Sequence, residues 1–245
     1  MSRHLLVIGA QRCGTTYLYR VLDEHPEIAM ARPMRPEPKF FLDRNQWTRG
    51  IEWYVQTYFG GRDSAVLGEK ATSYLEFPEA AQRAGAMLPS AHIIVVLRDP
   101  VSRAVSNWKL STASGLEDRP LQVALTENLQ GPSRWEATKT SVSPFAYLER
   151  GRYVDYLPPW LDRFGDRVQI YFTDELFDAA GPSMIYNAVG VDALYRPDVL
   201  GRRVNAAEHP AGTLDTALLE ELRAYFSDSD RRLTEVLGRP LPWAS

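Results

Sequence analysis

HLLVIGAQRCGTT, His4 to Thr16, followed directly by YLYRVLDEH, is the stretch from which the rest of the chain is read. Leu5 to Ile8 are four consecutive apolar residues, the pattern of a short strand buried on both faces, and Gly9 ends it at a turn where a side chain would obstruct. Gly14, Thr15 and Thr16 open a helix in which Leu18, Val21 and Leu22 recur at helical spacing, and His25-Pro26 stops it. Strand, glycine loop and helix start gather unpaired main-chain N–H groups and the positive end of a helix at one point. Such a point binds anions, a phosphate or a group shaped like one. The alternative is a tight strand-to-helix turn with no ligand.

The spelling of the loop narrows the chemistry. NTP-hydrolysing loops read G-x-x-x-x-G-K-[ST], with the lysine on the outer phosphates and the hydroxyl on magnesium. Here the frame is Gly9-Ala-Gln-Arg-Cys-Gly14-Thr15-Thr16, and threonine stands at the lysine position. Arg12, inside the loop, is the nearest cation to replace it. The cradle is kept and the cation moved, so a phosphate-like ligand is expected without ordinary ATP chemistry.

A chain of 245 residues is long enough to bury a sizeable core, and one domain over residues 1–245 is expected. Charged residues make up 24% of it and the net charge is only −3, which reads as a soluble globular protein. The acidic pI near 5.9 argues against a broad nucleic-acid surface or a heavily anionic polymer as partner. Cys13, the single cysteine, excludes an internal disulfide and a cysteine-built metal site. The first strand begins at residue 4 or 5 with no cleavage pattern before it, and the longest aliphatic run, Ile93 to Leu97, is too short to span a bilayer. A cytoplasmic location is expected.

Downstream, Ile28 to Met30 reads as a second strand, and RPMRPEPKFF follows. Pro33, Pro36 and Pro38 exclude helix and strand pairing there, so Arg35, Glu37 and Lys39 are presented from a stiff extended loop that Phe40 and Phe41 anchor in the core. A loop leaving the carboxyl end of a parallel strand is where α/β sheets place active sites, which makes Glu37 a candidate base; the alternative is a surface ion-pair partner. Flanking Arg35 and Lys39 would keep it ionised.

Residues 47–59 read as an aromatic-rich helix, serving either pocket lining or core, and Ala65 to Tyr74 as a strand with Glu69 and Lys70 at its end. A helix over Glu79 to Leu88 precedes the buried strand Ile93 to Leu97. Asp99 and Pro100 are an N-cap and first helical residue; Val101, Ala104, Val105 and Trp108 form the buried stripe, with Ser106 on the polar side and Arg98 at the strand tip. Arg98 is either an anion ligand or an ordinary helix-start arginine. A helix over Arg152 to Phe164 leads into strand Arg167 to Phe172, with Thr173-Asp174 capping the next helix. His25 closes the first helix, and His92 flanks a strand. Core packing is the reading for Tyr74 and Trp108, although either ring could stack an adenine. Residues 197–211 form an irregular loop bearing Arg202 and Arg203, and residues 214–243 read as two amphipathic helices. Strand–helix alternation throughout predicts an α/β fold with a mostly parallel central sheet and helices on both faces.

With two strand tips carrying phosphate-type features, the sequence resembles the PAPS-dependent sulfotransferases, most closely the heparan-sulfate glucosaminyl 3-O- and N-sulfotransferase type. The resemblance is carried by GAQRCGTT, LDEHPEI, EPKFFLD with the following WY, GEKATSYL, IIVVLRDPVSRAVSNW, and the late LLEELRAYF with LTEVLG, in family order over nearly the whole chain. It implies a P-loop-like α/β fold that binds 3′-phosphoadenosine 5′-phosphosulfate (PAPS) and releases 3′-phosphoadenosine 5′-phosphate, with no metal required. Arg12, Cys13, Gly14, Thr15 and Thr16 would hold the 5′-phosphosulfate, Arg12 standing where the family usually has a catalytic lysine. Arg98 and Ser106 would hold the 3′-phosphate, and Arg202 and Arg203 fall in the family's late donor loop. Glu37 matches the acidic base, Lys39 lies where the family often has a substrate-side histidine, and Lys70 matches a lysine near the transferred group.

Three functions follow as expectations. The first is a sulfotransferase acting on a hydroxyl, or in second place an amine, of a small molecule or short glycan. The second is a nucleotide kinase or NTPase with an altered loop, and the third a nucleotide-binding module without turnover.

Overall fold

The computed structural model describes residues 2–136, 142–178, 180–200 and 214–244. In chain order they form β1 (Arg3–Gly9), α1 (Thr15–Glu24), β2 (Ile28–Met30), α2 (Arg44–Trp47), α3 (Gly50–Phe59), β3 (Val66–Lys70), α4 (Pro78–Met87), β4 (His92–Leu97), α5 (Pro100–Ala113), α6 (Leu121–Asn128), α7 (Pro158–Phe164), β5 (Val168–Phe172), α8 (Thr173–Phe177), α9 (Gly181–Val189) and α10 (Thr216–Leu237). Short 3₁₀ turns lie at Tyr74–Glu76, Glu149–Gly151, Tyr153–Asp155 and Gly165–Arg167. The described residues 2–97 and 156–200 make one compact unit, and 98–155 with 214–244 a second.

The first unit is built on a five-stranded sheet in the order β2-β3-β1-β4-β5, with every pairing parallel. Leu5 to Ile8 of β1 and Ile93 to Leu97 of β4 have no exposed surface, as expected of central strands covered on both sides. From β1 the chain crosses to β2 and returns through β3; from β4 it runs on to β5, away on the other side. The order of strands therefore reverses between β1 and β4, and open parallel sheets bind ligands beyond the carboxyl ends of such a pair. Helices pack around the sheet, α1 on β2 and β3, and α7 and α8 on β5.

The second unit contains α5, α6 and α10. Val101, Ala104, Leu121, Leu125, Tyr147, Leu148, Leu222 and Phe226 form its core. Asp99 caps α5 as read, accepting the N–H groups of Val101 and Ser102. Burial alone would push the Asp99 carboxyl up, but hydrogen bonds from Arg223 and Ser102 outweigh it and hold it below the usual carboxylate range.

Several elements differ from the sequence reading. β3 ends at Lys70 rather than near Tyr74: Ala71 N–H still reaches Val7 O at 3.0 Å, but Thr72 N–H turns to Glu37 and a 3₁₀ turn follows. The aromatic helix starts at Gly50, with Trp47 in the separate turn α2. Instead of one helix over residues 152–164 there is a 3₁₀ turn and then α7, which starts at Pro158, where a pyrrolidine is tolerated only in a first helical turn. α5 buries Arg103, Asn107 and Ser111 along with Val101 and Ala104, whereas Val105 and Trp108 are half-buried. Thr173 and Asp174 are the first residues of α8 and not its caps; the Glu175 side chain takes the N–H of Phe172 instead. The last two helices are one, α10, because no glycine or proline interrupts residues 216–237 and Gly238, at φ 61, supplies the only break.

Candidate active site

Gly9 leaves β1 beside Leu75, and a Cβ built on it would lie 2.9 Å from Leu75 Cβ, so only glycine fits there. The loop then returns to the sheet through Ala10 N–H on Val96 O at 2.8 Å. Gly14 sits at φ 86 as the N-cap of α1 and contributes no side-chain cap, so the first N–H groups of the helix face outward from the loop without an intrahelical acceptor. This is the cradle expected of a phosphate-like ligand. Cys13 is fully buried and fills the loop, with Sγ 3.8 Å from Gln11 O. Thr15 is buried; Arg12 and Thr16 are half-buried.

A residue that the sequence presents only as a helix cap fixes this loop. The Thr173 hydroxyl at the start of α8 lies 3.0 Å from both Cys13 O and Leu97 O, tying the loop to the end of β4. The signal was its place just after the β5 strand, which reads equally well as a plain cap.

Glu37 is held at the carboxyl end of β3, next to β1. Its carboxylate pairs with Lys70 Nζ and accepts Thr72 N–H at 2.9 Å and the Thr72 hydroxyl at 3.1 Å. Lys70 is in register with Val7, two residues before Gly9, so Glu37 and the loop share one edge of the sheet. The cation beside Glu37 is therefore Lys70 and not Arg35, which is exposed. The side chain of Lys70 is 3% exposed and that of Glu37 is 16% exposed, so the pair is shielded yet open on the carboxylate side. Lys39, half-buried, has φ 54, and Arg12 has φ 71. Among the described residues these are the two non-glycines in the left-handed region, at roughly 1–2 kcal/mol each. Backbone strain of this kind gathers at functional sites, and both positions are candidate site residues on other grounds.

On β3 itself, Glu69 has no exposed surface and accepts hydrogen bonds from Tyr54 (2.8 Å) and Tyr74 (2.5 Å). Burial pushes its carboxyl up to about 7 against the pull of those two hydroxyls. Tyr74 is thus a core residue, and so is Phe40. The half-buried Trp108 donates its Nε1 to Arg119 O.

Arg98 and Ser106 belong to the second unit. Arg98 follows β4, half-buried, with its carbonyl accepting from Tyr153 OH at 2.8 Å, and Ser106 is half-buried on α5. Arg202 and Arg203 lie outside the described residues. Among the described residues no group of three or more His, Cys, Asp or Glu side chains gathers to hold a metal ion, and no helix is long and apolar enough to cross a membrane.

A parallel sheet with a glycine loop between strand and helix, beside an anchored carboxylate, defines a P-loop-like α/β protein. The chain belongs to the sulfotransferase domain family, whose profile matches residues 2–174. It is 31% identical over 179 residues to the bifunctional heparan sulfate N-deacetylase/N-sulfotransferase 1 of Caenorhabditis briggsae, covering 70% of this chain and 20% of that protein. To the heparan sulfate glucosamine 3-O-sulfotransferase 3A1 of Mus musculus it is 26% identical over 264 residues, covering 97% of this chain and 63% of the relative. The chain thus spans less than two thirds of either relative. The crystal structure of a sulfotransferase from Alicyclobacillus acidocaldarius matches with a TM-score of 0.76 and 25% identity, over 98% of both chains.

Proposed function

We propose that this protein, as a single sulfotransferase domain, transfers a sulfuryl group from PAPS to an acceptor hydroxyl, or in second place an amine, of a small molecule or short glycan. The observation that supports it most is the Glu37 carboxylate, anchored by Lys70 and Thr72 at the carboxyl end of the strand next to the one that feeds the glycine loop. Family membership and the glycan acceptors named for the relatives point the same way.

In this reading the main-chain N–H groups at the start of α1, with Arg12, bind the 5′-phosphosulfate. Arg98 and Ser106 are assigned the 3′-phosphate on the resemblance. Sulfuryl transfer, like phosphoryl transfer, passes through a loose in-line transition state in which the protein chiefly positions groups and stabilises charge. The acceptor oxygen forms its bond to sulfur as the bond from sulfur to the bridging phosphate oxygen breaks. Glu37 takes the acceptor's proton, Lys70 and Arg12 offset negative charge, and Lys39 faces the acceptor. General-base assistance of this kind is worth about 10²- to 10⁴-fold.

The test incubates the protein with ³⁵S-labelled PAPS and a panel of hydroxylated metabolites and short sugars, with Glu37→Gln as control. Label transfer by the wild type, and donor binding without transfer by Glu37→Gln, are expected. Magnesium-dependent ATP turnover with preference for ADP over 3′-phosphoadenosine 5′-phosphate would overturn it in favour of a kinase. Tight donor binding with no transfer across the panel would make the chain a binding module.

A further inference from the structure

Glu69 has no part in the chemistry above, yet it is fully buried one residue from Lys70. Three donors converge on it: Tyr74 OH, Tyr54 OH and the main-chain N–H of Phe40. Tyr74 OH in turn accepts the N–H of Phe41 at 3.0 Å. The Phe40 ring lies 4.5 Å from that of Tyr54, and the Phe41 ring 5.7 Å from that of Tyr74. Successive strand side chains project to opposite faces, so Lys70 grips Glu37 from one side of β3 while Glu69 grips Phe40 from the other. Pro36 and Pro38 flank Glu37 and leave little slack between the two holds.

We infer that Glu69 is a positioning residue, which with Tyr54 and Tyr74 fixes the Phe40–Phe41 backbone and through it the Glu37 carboxylate. The inference rests on the assignment of Glu37 as proton acceptor. An ionised Glu69 offers charged lone pairs to all three donors; once protonated, one oxygen becomes a donor itself and the bonds from all three lose their charge assistance. The hold on Phe40 thus loosens as Glu69 gains a proton. The groups around it are Tyr54 and Tyr58 from α3, Tyr74 from the 3₁₀ turn, Lys70 beside it in β3, Glu37 in the loop, Arg83 of α4 on the Phe41 carbonyl, and His4 of β1, whose ring is 6.2 Å from that of Tyr54. Burial holds His4 down to about 4 and raises the three tyrosines, so the imidazole and the phenols stay neutral where Glu69 changes its charge.

The experiment measures kcat, the KM for PAPS and the pH profile of wild type, Glu69→Gln and Tyr74→Phe. Expected for the wild type is a fall in kcat as pH drops through about 7. Glu69→Gln should lack that limb, with kcat lower by about 10- to 100-fold at pH 8 and KM for PAPS within about twofold of wild type. Tyr74→Phe keeps the ring and removes two links of the chain, so kcat should fall about tenfold. A Glu69→Gln protein with wild-type kcat and an unchanged limb overturns the inference, and if that variant does not fold, wild-type kcat in Tyr74→Phe does the same. Hydrogen exchange gives an arm independent of turnover. The Phe40 and Phe41 amides should exchange at least about tenfold faster in Tyr74→Phe with β1 amides unchanged, and equal protection refutes the hold. A wild type that transfers nothing would defeat the proposed function while leaving this readout to decide the positioning.

Discussion

Replacing Glu37 by Gln preserves shape and one acceptor oxygen, so the Thr72 N–H bond at 2.9 Å keeps a partner. What disappears is the counter-charge of Lys70, whose side chain is 3% exposed. Removing one partner of a buried ion pair costs about 3–5 kcal/mol; because Glu37 is 16% exposed and admits some water, about 3 kcal/mol is expected here. Lys70→Met leaves a carboxylate still served by the Thr72 N–H and hydroxyl, and costs less, about 1–2 kcal/mol. The double variant strips both charges at similar volume and should cost no more than Lys70→Met alone, giving a coupling of at least about 3 kcal/mol. Urea unfolding of the four proteins, followed by circular dichroism, measures it. Single variants each within about 0.5 kcal/mol of wild type, with an additive double, would refute the view that this pair anchors the loop. The double variant also separates stability from chemistry: it regains the fold yet has no carboxylate, so transfer stays down by about 10²- to 10⁴-fold.

Gly14→Ala places a Cβ at φ 86, 3.4 Å from Thr173 Cγ2, and should cost about 1–2 kcal/mol. Calorimetry should show 3′-phosphoadenosine 5′-phosphate bound at least about tenfold more weakly, and unchanged affinity would remove the loop from donor binding. Glu69 gives a stability signature of its own. Its pKa is raised from 4.5 to about 7, so its favourable contribution is complete below the unfolded value and is lost as pH rises through the folded one, about 3 kcal/mol in all. The urea midpoint of Glu69→Gln should therefore vary less than that of wild type between those pH values, and identical slopes would contradict the burial argument.

The sheet and the loop were legible because each is written locally. A run of aliphatics with a glycine after it, an Asp-Pro pair before a helix, and prolines around Glu37 carry their structure with them. What escaped depends on partners distant in sequence. β3 stops at Lys70 because Glu37, 35 residues before Thr72, captures the next free N–H. Arg103 faces inward on α5 because Asn107 and the Tyr147 carbonyl receive it there, and a polar residue among hydrophobic ones otherwise reads as surface. Glu69 carries no sign of burial in its own neighbourhood; the hydroxyls that make burial tolerable come from Tyr54 and Tyr74. Thr173 reads as a cap for the same reason, since the carbonyls it meets belong to Cys13 and Leu97.

Much of the grip on the proline-rich loop comes from one hexapeptide, Glu69 to Tyr74, acting on Glu37, Phe40 and Phe41. Loop exchange aimed at a new acceptor therefore has natural seams. Cuts near Ala31, whose N–H is bonded to Gly68 O at 2.7 Å, and Asp43, which caps α2, transplant the carboxylate with its handholds facing the resident hexapeptide. A chimera joined between Glu37 and Phe41 splits the handholds between two parents, and it will assemble only where the donor brings its own version of residues 69–74.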